Sequence, residues 1–109
     1  MRSASGSRAA ASGKPDPSVA PILTAMDLLG QRWIMRVIWE LQAGPLGFLE
    51  LRRRMNNCSS SMLSERLQQL TTADLTAKNA SGAWELTADG VCLSKALSSI
   101  WDWSQSRSR

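Results

Sequence analysis

Residues able to do covalent or metal chemistry are scarce in this chain. Its 109 residues include no His and only two Cys, Cys58 and Cys92, which lie 34 positions apart. Without His no Ser-His-Asp or Cys-His nucleophile can be assembled. Two Cys alone cannot close a tetrahedral zinc site, and the wide spacing is no CxxC redox pair. The expectation is a chain with no catalytic residues, no metal and no cofactor. What it does carry is charge: Arg52-Arg53-Arg54 is the densest basic run. Guanidinium groups bind anions such as phosphates through charge-assisted hydrogen bonds. Three successive helical residues point about 100° apart, so the three cannot share one face. Glu50 precedes Arg54 by four, the favourable order for an ion pair along a helix. That assigns Arg54 to the pair and leaves Arg52 and Arg53 for anions.

The net charge of +4 is unevenly placed. Residues 1–18 carry +2 and residues 104–109 another +2, whereas eight basic and eight acidic residues cancel between Val19 and Trp103. Any anion binding by the middle segment must come from the arrangement of its charges and not from their sum. Residues 1–18, rich in Ser, Ala, Gly and Arg, hold too little apolar surface to offset ordering entropy and read as a disordered tail. They have no apolar core of the kind a secretory signal needs. Residues 105–109 read as a short basic tail, which leaves 19–104 as one domain. Few cysteines and no long apolar run fit a protein of the cytoplasm with no membrane partner.

The elements that must position these residues follow from periodicity. Pro21 can open a helix that Gly30 ends. From Gln31 to Gln42, Ile34, Val37, Ile38 and Leu41 mark one face of a second helix, which Gly44-Pro45 breaks. Phe48, Leu51 and Met55 mark a third, over 47–55. Asn56-Asn57 signals a turn, and Ser59, Ser60 or Ser61 can cap a fourth helix that carries Met62, Leu63, Leu67 and Leu70 and runs to about Ala73. Two short amphipathic helices joined by a tight polar turn are what a helix-turn-helix requires. The period then drops to two: Leu75 to Lys78 and Ala83 to Leu86 read as a β-hairpin turning at 79–82. Thr87 caps a last helix with Asp89 in its first turn. Its apolar positions, Leu93, Ala96, Leu97, Ile100, Trp101 and Trp103, cover a wider arc than one small core can bury, which suggests a partner. The predicted class is mainly α (α+β): a winged helix-turn-helix with a small hairpin wing and an added helix at each end.

Four segments in order carry a resemblance to a known family. They are Ala25-Met26-Asp27-Leu28-Leu29-Gly30-Gln31-Arg32-Trp33, Gly44-Pro45-Leu46-Gly47-Phe48-Leu49-Glu50-Leu51-Arg52-Arg53-Arg54, Met62-Leu63-Ser64-Glu65-Arg66-Leu67-Gln68-Gln69-Leu70 and Glu85-Leu86-Thr87-Ala88-Asp89-Gly90. From about Ala20 to Trp103 the chain resembles the HxlR-type regulators of bacterial transcription, a winged-helix branch near MarR. The resemblance implies a homodimer joined through the first and last helices. It also implies a recognition helix at 60–73 in a major groove of double-stranded DNA, and a hairpin near the flanking minor groove. Many members sense oxidants with a Cys before the first helix; here that position is Ala20, and the resemblance does not extend to that mode of sensing. Gly47 stands where the family usually has Arg, and Asp74 where it usually has Gly. The hairpin is several residues shorter than is usual in the family.

Each candidate has a plainer reading beside the functional one. Ser61, Ser64 and Gln68 can donate and accept at base edges, or simply face solvent. Arg52, Arg53, Ser60, Lys78 and Asn79 are expected at phosphates or at the wing, with exposure as the alternative. Arg66 either contacts DNA or braces the helices. Ile22, Trp33, Leu97, Ile100, Trp101 and Trp103 are expected in a dimer interface, or around a pocket for a small apolar or aromatic effector where Trp33 approaches Trp101 or Trp103 across the dimer. Cys58 and Cys92 read as packing residues. The resulting expectation is a DNA-binding regulator that binds a pseudo-palindromic operator as a dimer. The other class in view is a ligand- or protein-binding module on the same scaffold with little DNA affinity.

Overall fold

Ile34, Val37, Ile38 and Leu41 recur at helical spacing, and in a computed structural model of the chain all four are buried, at 0–2% exposure. The structure describes residues 16–107. The tail expected over 1–18 therefore falls outside the described residues as far as residue 15, and the tail expected over 105–109 does so at its last two positions. The chain divides into two compact units between Gln31 and Arg32.

In the first unit a 3-10 turn, Pro17–Val19, leads into helix α1, Ala20–Leu29. The Asp16 carboxylate accepts the Ser18 N–H at 2.9 Å, and this bond holds its carboxyl below the usual carboxylate range. Pro21 sits in the first turn of α1, as its fixed φ favours, and Gly30 is the C-cap, with a right-handed backbone (φ −76°) and not the left-handed one of a glycine stop. Ile22, Leu23 and Met26 are exposed on α1.

The second unit holds α2 (Ile34–Leu41), α3 (Phe48–Arg54), α4 (Ser60–Thr72), strands β1 (Thr76–Lys78) and β2 (Trp84–Leu86), and α5 (Ala88–Arg107). Its core joins the α2 stripe to Leu51 and Met55 from the α3 segment and to Leu63, Leu67 and Leu70 of α4. Each such side chain contributes roughly 1.5–3 kcal/mol by leaving water, which is what holds helices this short. The strands pair antiparallel with Thr76 opposite Leu86 and Lys78 opposite Trp84. Leu46 adds an isolated bridge to Trp84, exchanging hydrogen bonds of 2.9 and 2.8 Å, so the segment after the Gly44-Pro45 break forms a third edge of the wing.

Two boundaries and two burial expectations differ from the sequence reading. Helix α2 starts at Ile34 and not Gln31, because Trp33 takes a left-handed conformation (φ 78°) and acts as the N-cap, its carbonyl accepting the Val37 N–H at 2.9 Å. Helix α5 runs on to Arg107, into the stretch expected as tail. Its stripe Gly90, Ser94 and Leu97 is buried within this chain, so Leu97, expected at a dimer interface or pocket, belongs to the protomer's own core. The reason is phase: Leu97 lies three residues beyond Ser94, whose hydroxyl accepts from Gln42 Nε2 at 2.8 Å. Cys92, expected to pack, is exposed, while Cys58 is half-buried.

Candidate nucleic-acid interface

Helices α3 and α4 are joined by five residues whose backbone is specified closely. Asn56 and Asn57 both take left-handed φ, 60° and 55°, which Asn tolerates better than most side chains. The Asn57 N–H bonds the Arg52 carbonyl at 2.9 Å and the Asn56 N–H bonds the Arg53 carbonyl at 3.1 Å. This reciprocal pattern is a Schellman motif, which satisfies the last carbonyls of α3. Ser59 then caps α4, its Oγ accepting the Met62 N–H at 3.2 Å. Of the capping serines offered by the sequence, Ser59 fills the role and Ser60 is the first helical residue.

Helix α4 is two-faced. Leu63, Leu67 and Leu70 are buried, whereas Ser61, Ser64, Glu65 and Gln68 are exposed at i, i+3, i+4 and i+7. The structure thus gathers Ser61, Ser64 and Gln68 on one solvent face, with the Ser61 hydroxyl 2.9 Å from that of Ser59. The exposed Ser60 adjoins them.

The arginines divide sharply by what their donors meet. Arg52 was expected at phosphates, but its Nε donates to the Cys58 carbonyl at 2.6 Å, across the α3–α4 turn. In the free chain this bond pins the turn, which presents a bare carbonyl to Arg52. Arg36 donates Nη2 to the Arg54 carbonyl at 2.6 Å and Nε to Glu40 at 2.7 Å. Arg66 donates Nε to the Arg32 carbonyl at 2.7 Å, so of its two readings the structure displays the brace. Arg53 and Arg54 both reach Glu50, Arg54 with Nε at 3.0 Å, and both remain largely exposed. Such exposed pairs are worth little, about 0–1 kcal/mol, and exchange readily for a stronger anion.

A guanidinium bonded to a carbonyl is worth about 1.5–3 kcal/mol. Arg52→Ala is therefore expected to lower the urea midpoint of the free protein, while Arg53→Ala leaves it within error. Equal midpoints for the two variants would contradict this division.

The wing presents fewer free groups than its sequence suggests. Asn79, expected to contact DNA, is consumed locally. Its Oδ1 accepts from the Ser81 N–H (3.0 Å), the Ser81 hydroxyl (2.7 Å) and the Ala83 N–H (3.0 Å), and its Nδ2 reaches Glu85 at 3.4 Å. A five-residue loop needs such an Asx-type organiser. Lys78 is exposed, its Nζ 5.3 Å from the Trp84 ring centroid.

Within one protomer the tryptophans pair differently from the contact expected across a dimer. Trp33 is half-buried with the Arg32 guanidinium 5.0 Å above its ring, and Trp103 is exposed beside Arg107. Trp101 instead meets Trp39, and these two line a concavity in which neither Trp33 nor Trp103 takes part. The signal for Trp39 was its phase, on the flank of the α2 stripe. Ile22 and Ile100 are exposed at 51% and 45%. Among the described residues there is no grouping of three or more His, Cys, Asp or Glu that could hold a metal ion, and no helix long and apolar enough to cross a membrane.

Comparison with known proteins agrees with this geometry. The family model for the HxlR-like helix-turn-helix matches residues 28–109. The chain is 28% identical over 86 residues to YvaP, an HTH-type transcriptional regulator of Bacillus subtilis, covering 73% of this chain and 80% of that one. Among solved structures it is similar to the quinone-bound YodB of B. subtilis, with TM-score 0.72, 28% identity and coverage of 79% of this chain and 97% of that one. It is also similar to the reduced form of YodB, with TM-score 0.63, 25% identity and coverage of 85% and 90%.

Proposed function

The chain belongs to the HxlR-like helix-turn-helix family, and from that premise we propose that it binds a pseudo-palindromic operator as a homodimer and regulates adjacent genes. As a member of that family it is a transcriptional regulator and not an enzyme. The observation that carries the proposal is the two-faced α4, with Ser61, Ser64 and Gln68 on the exposed side of a helix anchored by three buried leucines. In this reading α4 enters a major groove. Ser61, Ser64 and Gln68 meet base edges, while Arg53, Arg54, Ser60 and Lys78 meet phosphates. Arg52 contributes first by holding the angle between the two helices. The work takes place in the cytoplasm, where the DNA is.

Two exposed apolar faces support dimerisation. One is Ile22, Leu23 and Met26 on α1; the other is Ile100 and Trp103 on α5, continuing a 3-4-3 spacing from Leu93 and Ala96. A two-fold dimer implies half-sites about one helical turn apart, ~34 Å. A monomer by light scattering at micromolar concentration would remove this part of the proposal. A small apolar or aromatic effector also belongs to it, supported by the quinone bound to the similar YodB.

Fluorescence anisotropy on duplexes from the chain's own and neighbouring promoters tests the DNA reading. Gln68→Ala is expected to lose about 1–3 kcal/mol on the operator and almost nothing on random DNA. Arg53→Ala should weaken both and flatten the log–log salt slope by about 1. If Gln68→Ala weakened operator and random DNA equally, α4 would not be the base-reading helix. The second reading, a ligand-binding module with little DNA affinity, is favoured by the short wing and the Trp39–Trp101 concavity; failure to shift any promoter duplex would select it.

A further inference from the structure

Trp39 on α2 and Trp101 on α5 meet edge to face, with centroids 5.0 Å apart and ring planes at 81°. Two indoles at nearly a right angle make two walls of a corner. With Asp102, Ser104 and Gln105 they line a concavity of about 440 Å3. Trp39 is 44% exposed, so its ring is reachable from solvent. No basic side chain is among these lining residues.

The chemistry of that corner is selective for charge. An indole ring carries negative potential on its face, and among aromatic side chains it holds a cation best. A carboxylate at the same site adds direct attraction for a positive ligand and repulsion for an anion. The Ser104 hydroxyl already donates to the Trp101 carbonyl at 2.7 Å, which removes one donor that an anionic or oxygen-rich ligand would use. Trp101 itself is a costly choice. Its Nε1 is buried with no hydrogen-bond partner, a burden of desolvation that Phe at the same place would avoid.

We propose that this corner binds an organic cation with an apolar or aromatic body, of the quaternary ammonium class, with Trp39 and Trp101 as walls and Asp102 as counter-charge. The inference rests on the effector part of the functional reading and is independent of the DNA part. It narrows the ligand from any apolar aromatic compound to a positively charged one.

The test compares ligands that share a ring and differ in charge, using the full-length protein and its intrinsic Trp fluorescence, with calorimetry as a second readout. The probes are benzyltrimethylammonium, benzyl alcohol and benzoate. The cation is expected to bind about tenfold more tightly than the neutral alcohol, with benzoate weakest. Asp102→Asn, an exposed position, should weaken the cation about fivefold, leave benzyl alcohol unchanged and leave the circular dichroism spectrum intact. Trp101→Phe should weaken the cation several-fold while keeping the core filled. Equal affinity for cation and alcohol would overturn the proposal while sparing a neutral effector. No binding of any probe would overturn both. Binding that vanishes as protein concentration rises into the dimer range would show that a second copy fills the corner, and would overturn it as well.

Discussion

Gly90→Ala is expected to destabilise the second unit by about 3 kcal/mol or more. Two effects oppose each other at this position. Gly90 lies in the first turn of α5, where alanine is worth about 1 kcal/mol more than glycine by helix propensity. Against that, a Cβ at Gly90 would stand 2.1 Å from the Leu75 carbonyl oxygen and 3.2 Å from both the Leu75 carbonyl carbon and the Leu86 Cβ. The obstacle is backbone, not the end of a flexible side chain, and that backbone is pinned. The Leu75 carbonyl accepts the Thr87 N–H at 3.0 Å, and the Leu75 N–H bonds the Leu70 carbonyl at 2.9 Å. One residue earlier, the Asp74 carbonyl takes the Thr87 hydroxyl at 2.7 Å, and that hydroxyl in turn accepts the Gly90 N–H at 3.0 Å. Relieving the clash means separating α5 from the wing and breaking this cap. Small domains have only about 5–15 kcal/mol in total, so the loss should appear as a large fall in the urea midpoint. A midpoint that stayed or rose would mean that propensity wins and that the helix can slide.

The same junction shows what a sequence can and cannot carry. Thr87 as a cap was readable, because a capping side chain acts through its own chemistry and its neighbours in the chain. The close approach of Gly90 to Leu75 spans fifteen residues and two elements, and nothing local announces it beyond the presence of glycine early in a helix. The helix-turn-helix was readable for the first reason: the leucine phase of 63, 67 and 70 and the Asn56-Asn57 turn are both local signals. The arginines were not. A count of charges treats Arg36, Arg52, Arg53 and Arg66 alike, yet three of them donate to carbonyls of Arg54, Cys58 and Arg32. A donor's partner depends on where another element turns a bare carbonyl toward it. Leu97 failed for a related reason: the wide apolar arc of α5 contains two stripes, and only the packed fold tells which one faces inward. Trp33 was drawn into helix by its apolar neighbours, whereas its left-handed backbone delays the start from Gln31 to Ile34.

Gly47→Arg is expected to increase DNA affinity about eightfold at 100 mM salt and to steepen the salt slope by about 0.9, the effect of one added phosphate contact. Gly47 is the N-cap of α3, with an extended backbone (φ −69°, ψ 163°) that any side chain can adopt. A Cβ there meets nothing within 4 Å, so the new side chain enters open space. In a helix-turn-helix the first helix crosses the DNA backbone, and Arg53 and Arg54 on the same helix already share the single carboxylate of Glu50. A new guanidinium at the other end of α3 would not draw on that carboxylate. The substitution does cost something in the free protein: a cation at a helix N-terminus opposes the macrodipole, and Arg caps less well than Gly, together up to about 1 kcal/mol. That cost falls on unfolding, not on binding by the folded dimer, so the two measurements move in opposite directions. Gly47→Gln supplies the uncharged comparison, with similar reach and no change in slope. Anisotropy titrations over a salt series decide the matter. An unchanged slope for Gly47→Arg would place the N-terminus of α3 away from the phosphates and would count against the docking of α4 argued from its two faces.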